Sequence, residues 1–263
     1  MTASSRSADH YDYIVVGAGS AGCVLASRLT ESGRHRVLLL EAGPSDLRLW
    51  VQMPIGYGKT FYDPRVNWMY RSEPVPGLDN RVLYYPRGKV LGGSSSINAM
   101  VYSRGQPADF ADWAAMGNPG WGWPEVLAAY KRMEDHELGA GPGHGAGGPL
   151  HVTDIRRAAH PMVQAYLEAG KQAGLAVTPD LNGDSIEGVG LYQINTRNGL
   201  RMSAARAYLW PARRRANLRI VTHALATRIL LDGKRAIGVA YRRNGESMVA
   251  QAGREVILAA GSI

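Results

Sequence analysis

Three glycines in one short stretch have the spacing to grip an anion. In "YDYIVVGAGSAGCVLASRL", Gly17, Gly19 and Gly22 form G-x-G-x-x-G between a β-rich run and a helical pattern. Gly17 permits a tight turn. Gly19 has no Cβ, so a pyrophosphate can approach the backbone. Gly22 lets the helix pack closely on the strand. The free N–H groups at the helix start, and the helix dipole, then face the negative charge. Glu41 ends the next apolar run. Its carboxylate can accept hydrogen bonds from both ribose hydroxyls and would repel a 2′-phosphate, which argues against NADP. The glycine unit alone does not separate NAD from FAD. Cys23 follows on the first helical turn, where a dipole can activate a thiol, but a buried packing role is the expectation.

These residues need a frame. Residues 13–16, 21–31 and 37–40 read as a strand, a helix and a strand, a βαβ unit with parallel strands buried on both faces. Residues 44–93 lack periodicity and are rich in Pro, Gly and aromatics, as expected of a stretch that packs over a ligand. Residues 108–116, 124–133 and 160–174 read as helices, with Pro124 suited to a first helical position. "LGAGPGHGAGGP", 138–149, precedes no strong helix and reads as a surface linker. Residues 218–221, 226–230, 237–241, 247–251 and 255–259 read as short strands. Asp232-Gly233 and Asn244-Gly245 are hairpin signals between them. This predicts an antiparallel meander ahead of a final strand, "VILAAG", returning to the adenosine end, which favours FAD.

The 263 residues carry a formal net charge of +8. The densest basic run, Arg213–Arg219, lacks interleaved aromatics and any nucleic-acid motif, so a solvated face is expected and nucleic acid is not. The single cysteine, Cys23, excludes an internal disulfide. The N-terminus has no apolar signal region and the chain has no apolar run long enough to span a membrane, so a cytoplasmic location is expected.

A second motif is "RGKVLGGSSSINAMVYSRG", Arg87–Gly105. Gly92 and Gly93 allow a close pass of the chain, and Ser94, Ser95 and Ser96 offer donors to a large polar cofactor. This stretch resembles the first signature of the glucose-methanol-choline (GMC) family of FAD-dependent oxidoreductases. "DPRVNWMY", "DFADWAAMGNPGWGWPEVLAAYKRME", "RMSAARAYLWP" and "NLRIVTHALATRILL" extend the likeness over nearly the whole chain from Tyr11, closest to the alcohol and choline dehydrogenase branch. The resemblance implies an α/β fold: a Rossmann-like FAD-binding domain, with a parallel sheet, helices and an antiparallel β-meander, plus the beginning of an α+β substrate domain. The expected layout is a disordered segment 1–10, the first part of the FAD-binding domain at 11–150, a partial substrate-binding domain at 151–215, and a return to the FAD-binding domain at 216–263.

Carried over residue by residue, the resemblance implies that Gly17, Gly19, Ser20 and Ala21 hold the pyrophosphate and Glu41 the adenosine ribose. Val90 and Gly93 would line the cofactor. Asn98, Ala99, Met100 and Val101 would pass along the isoalloxazine. Ala226 would meet the adenine through its backbone, with Ala260 and Gly261 near it. Trp68 is a weaker candidate for the cofactor, since a tryptophan more often packs in a core. Some relatives attach FAD through a histidine just before the asparagine. Here that position is Ile97, so the FAD is expected to be non-covalent.

"AAGSI" resembles the start of the family's second signature, which implies an amino-terminal part of a larger enzyme with its catalytic residues beyond Ile263. The implied reaction moves a hydride from the CH–OH carbon of a primary alcohol to flavin N5, while a histidine takes the hydroxyl proton. The electron acceptor stays open among a quinone, another carrier and oxygen. None of the seven histidines, His10, His35, His136, His144, His151, His160 and His223, sits in a catalytic motif. Surface or packing roles are expected for them, and no metal cluster. The alternative readings are a non-catalytic FAD-binding fragment and a hydroxynitrile lyase-like relative.

Overall fold

A computed structural model describes residues 9–183 and 186–263. The chain divides into two compact units. One takes the chain up to Ala99 together with Ser203–Ile263, and the other is Met100–Met202. The breaks thus fall at 99/100 and 202/203 rather than at the expected 150/151 and 215/216. Residues 1–8 of the expected disordered segment lie outside the described residues, whereas Asp9 and His10 already belong to a strand.

The first unit is built on a six-stranded sheet. Its strands are β1 (Asp9–Val16), β2 (Val37–Leu40), β3 (Leu218–Val221), β4 (Ala224–Asp232), β5 (Arg235–Arg243) and β6 (Glu246–Leu258). The spatial order is β3-β2-β1-β6-β5-β4. β3, β2, β1 and β6 run parallel, and β6, β5 and β4 form the antiparallel meander. Asn244 and Gly245 join β5 to β6 at φ 50° and 83°. Positive φ at both positions is what a two-residue hairpin turn of type I′ requires.

β6 merges the two strands expected at 247–251 and 255–259. Its first half pairs with β5 and its second with β1. Between Tyr11 and Tyr13 the register on β6 moves from Ala252 to Glu255, so one extra residue is absorbed as a bulge. The sequence breaks at Gly253-Arg254, but the backbone ladder does not.

Parallel strands covered on both faces read as continuous apolar runs. All four residues of β2 are buried. Ile14, Val16, Leu38, Leu40, Val221, Val239 and Tyr241 form one cluster. Helix α1 (Ser20–Leu29) buries small residues, Gly22, Cys23, Ala26 and Ser27. Each fully buried Leu of β2 contributes roughly 1.5–3 kcal/mol. The basic run 213–219 is partly tied down: Arg215 donates to Thr30 Oγ1 at 2.9 Å, Arg219 to the Tyr11 hydroxyl at 3.0 Å, and Arg213 lies over the Trp210 ring at 4.6 Å.

In the second unit the expected helices form at Pro107–Ala115, Trp123–Met133 and Met162–Gln172. Gln106 and Asp109 cap the first with a reciprocal box. Pro124 stands second in its helix, not first. Among the described residues no helix is long and apolar enough to cross a membrane.

Candidate cofactor site

The chain leaves β1 at Val16 and bends sharply into α1. Gly17 has φ +95° and donates its N–H to Leu40 O at 2.8 Å. A Cβ on Gly22 would stand 1.9 Å from Gly17 O, so no larger residue lets the helix approach the bend this closely. Gly19 is different. A Cβ there would meet only Ala259 O, at 3.9 Å, because the residue faces open space. Gly19 is the N-cap of α1, with no side-chain cap and no acidic residue in the first turn. The first N–H groups of a ten-residue helix are thus left for an outside anion.

The second glycine loop packs on the first. Gly92 N–H donates to Ala18 O at 2.7 Å, and a Cβ on Gly93 would come 2.7 Å from Gly19 Cα. Of the three serines behind it, Ser95 and Ser96 spend their hydroxyls on the loop itself, whereas Ser94 is exposed and lines the cleft. Ser94 Oγ accepts Gly88 N–H at 3.1 Å, Ser95 Oγ donates to Gly92 O at 2.6 Å, and Ser96 Oγ donates to Leu91 O at 2.6 Å.

Between the loops lies a cleft of about 560 Å³. Of the residues expected to bind cofactor, Gly17, Gly19, Ser20, Ala21, Glu41, Gly93, Ala226, Ala260 and Gly261 line it. Gly22 serves the packing beneath. Val90 is fully buried with Val51, Val66 and Ile97. Asn98 and Ala99 are exposed and do not line the cleft. Met100 and Val101 belong to the second unit, where Val101 pairs with Ile194.

Glu41 is 5% exposed. Its Oε2 accepts Ala18 N–H at 2.9 Å and its Oε1 accepts Gly43 N–H at 2.8 Å. Burial raises its pKa above the ordinary carboxylate value, against the opposing pull of those two N–H groups and of Lys89. Cys23 is fully buried, its Sγ lies 3.1 Å from Ala18 O, and burial pushes its pKa up. It is a packing residue.

The far wall was less visible in the sequence. Trp68 lines the cleft and is stacked on Tyr70, with ring centres 5.9 Å apart and planes 6° apart. Lys89 Nζ stands 4.6 Å from the Trp68 ring centre. Tyr70, Arg87, Gly88 and Ser94 also line the cleft. Arg87, Gly88 and Ser94 belong to the second glycine motif, whereas Trp68 and Tyr70 come from the stretch without periodicity, where aromatic content and the family-like "DPRVNWMY" are the signals. A bare helix start, open space over Gly19 and a pinned acid fit the diphosphate and ribose of a dinucleotide. The flat aromatic pair and the adjacent arginine suit its rings and charge.

The GMC oxidoreductase family matches residues 11–263. Human mitochondrial choline dehydrogenase is 49% identical over 269 residues, covering 100% of this chain and 45% of that protein. Pyridoxine 4-oxidase from Mesorbium loti superposes with a TM-score of 0.90 at 36% identity, covering 96% of this chain and 50% of that one. An FAD-dependent oxidoreductase from Chaetomium thermophilum gives a TM-score of 0.87 at 32% identity, covering 95% and 45%. The chain spans about half the length of the relatives it matches. The chain belongs to the GMC oxidoreductase family.

Proposed function

We propose that this chain holds FAD for an enzyme that oxidises the CH–OH group of a primary alcohol, choline or a related compound. The observation that carries the reading is the convergence on one cleft of the bare start of α1, the Glu41 carboxylate and the β4 and β6 backbone at Ala226 and Ala260–Gly261. The α1 N–H groups would bind the pyrophosphate. Glu41 would orient the ribose while fixing the glycine bend. Ala226 would meet the adenine edge through its backbone. Bound FAD supplies the hydride acceptor. Ile97 packs in an apolar cluster and cannot form a flavin bond, so the cofactor would be dissociable. None of the seven histidines lines the cleft, and no residue of this chain is assigned as the base. A reducing compartment, the cytoplasm, accords with the free, buried Cys23.

The test is flavin retention. The purified chain mixed with excess FAD and desalted should keep the flavin absorption bands at about one FAD per chain. A colourless chain would sink the reading. Alcohol oxidation is checked on the full-length gene product, where choline or another primary alcohol should bleach the flavin anaerobically. Retained flavin that no alcohol bleaches would leave only the cofactor assignment standing.

A further inference from the structure

The glycine-rich stretch 138–149 reads as a linker, yet the structure buries its one histidine. The His144 side chain is 14% exposed. Its Nδ1 lies 3.1 Å from both oxygens of Glu134, and its Nε2 lies 2.7 Å from Asp180 Oδ2. An ionised carboxylate only accepts hydrogen bonds, so each ring nitrogen facing one must carry a proton. Both nitrogens carry protons only in the imidazolium. The ring thereby joins the strand Glu134–His136, its own loop and the turn at Asp180.

Among the described residues the charged neighbours are these. Arg104 Nη2 is 2.7 Å from Glu134 Oε1, and its Nη1 donates to Gly143 O at 2.6 Å. The Tyr102 hydroxyl accepts from Arg104 Nε at 3.1 Å. The His136 ring lies 4.1 Å from the His144 ring, and its Nδ1 accepts Leu138 N–H at 3.2 Å. Lys131 Nζ donates to Pro142 O at 3.2 Å. Asp180 Oδ1 accepts from Asn182 N–H at 2.9 Å and from Gln193 Nε2 at 3.0 Å. From further away, Arg156 acts on Asp180 and Asp154 on His136. Arg104, Glu134, His144 and Asp180 make an alternating chain of charges.

Ligand-type atoms of Glu134, His136 and His144 do lie within 4.8 Å of one another. Arg104 already gives Glu134 its cation, however, and both His144 nitrogens are engaged. The arrangement suits a proton, not a metal ion.

We propose that His144 is a proton-operated clasp that fastens the glycine loop to Asp180 when protonated and lets that contact go when neutral. Gly145 N–H also donates to Glu134 Oε2, at 2.7 Å, so the Glu134 side keeps a backbone tether. Release therefore falls on the Asp180 side. The hydrogen bond to Glu134, with help from Asp180, raises the His144 pKa against the opposing effect of burial. Burial and the His144 charge push the His136 pKa the other way, below the ordinary imidazole value. Despite burial, their partners hold Glu134 and Asp180 below ordinary carboxylate values. A histidine with a raised folded-state pKa stabilises fully below its unfolded value, about 6.5. That stabilisation is lost as pH rises through the higher folded-state value.

Imidazole 15N NMR on the chain reads the proton directly. At about pH 6.5 both His144 nitrogens should be protonated, and the pKa should fall in Asp180→Asn, the ratio of imidazolium to neutral imidazole dropping about tenfold per unit of fall. Amide exchange over 138–149, corrected for intrinsic rates, should lose protection as pH rises through that pKa. In His144→Gln, protection should be low and independent of pH. The wild-type titration and Asp180→Asn carry the test if that variant does not fold. A neutral His144 at about pH 6.5, or loop protection unchanged from about pH 6 to 9, would overturn the proposal.

Discussion

Glu41 reaches across to Ala18 and fixes the glycine bend: its Oε2 accepts the Ala18 N–H at 2.9 Å while Oε1 accepts that of Gly43 at 2.8 Å. The acid proposed to orient the ribose is thus also a strut for the loop that would bind the diphosphate. Its burial raises its pKa, so a fraction is protonated above the usual carboxylate range. Ribose hydroxyls donate best to the ionised form. FAD affinity should therefore rise with pH above about 4.3, through the raised pKa of the free chain, and then level off. Flavin fluorescence titrations across pH measure this. In Glu41→Gln the pH dependence should vanish. One buried N–H should also lose its acceptor there, at a cost of roughly 1–3 kcal/mol in urea unfolding. An unchanged pH profile in the variant would remove Glu41 from the cofactor's contacts.

Gly19 and Gly22 should fail in different ways. Gly19 has φ −74° and ψ −164°, an extended conformation that valine adopts easily, and its Cβ position is open. Gly19→Val should lose about 1 kcal/mol, the cost of a poor N-cap residue, and remain folded, yet retain no FAD. Gly22→Ala drives a methyl into Gly17 O at 1.9 Å. It should lose roughly 1–3 kcal/mol and flavin together. Urea midpoints with desalted flavin content separate the two. Parental flavin content in Gly19→Val would refute the diphosphate site.

The near side of the cleft was legible because its constraints are local. A strand, a bend and a helix sit within the stretch Tyr13–Leu29, and each glycine there has its own steric reason. Glu41 follows from the same unit. The opposite wall is legible only in part: Arg87 opens the second glycine motif, whereas Tyr70 comes from a segment held by side chain to backbone contacts without period. Asn67 shows why: its Oδ1 accepts from both Met69 N–H and Arg87 N–H, at 3.0 Å each. Such long-range pinning leaves no pattern in sequence. His144 escaped for the same reason, since Glu134 and Asp180 are distant from it along the chain. In sequence Gly253 and Arg254 break the apolar run and predict two strands, whereas in the structure a bulge lets the single strand β6 continue through them.

Ile97 bears on how the flavin is held. Its side chain is 1% exposed and packs with Val51, Val66 and Val90. An alkyl group in that cluster offers no nucleophile. Acid precipitation of the flavin-loaded chain should leave all the yellow colour in the supernatant, as intact FAD by mass. Flavin in the pellet would contradict the non-covalent assignment.

Cys23 tests whether the helix start acts on an external anion or on the chain's own thiol. A helix N-terminus can lower a thiol pKa, but only if the thiolate is otherwise tolerable. Here burial dominates and raises the pKa, Glu41 and Asp46 add like-charge repulsion, and Sγ lies 3.1 Å from Ala18 O as a donor. The native chain should resist iodoacetamide at neutral pH and react only as urea unfolds it, the modification curve tracking the loss of structure. Bound FAD should shift that curve to higher urea by stabilising the folded state, by about 2.7 kcal/mol at one hundred times its Kd. Rapid labelling of the folded chain would mean that the field at the helix start is spent on the thiolate, leaving the cleft without its anion site.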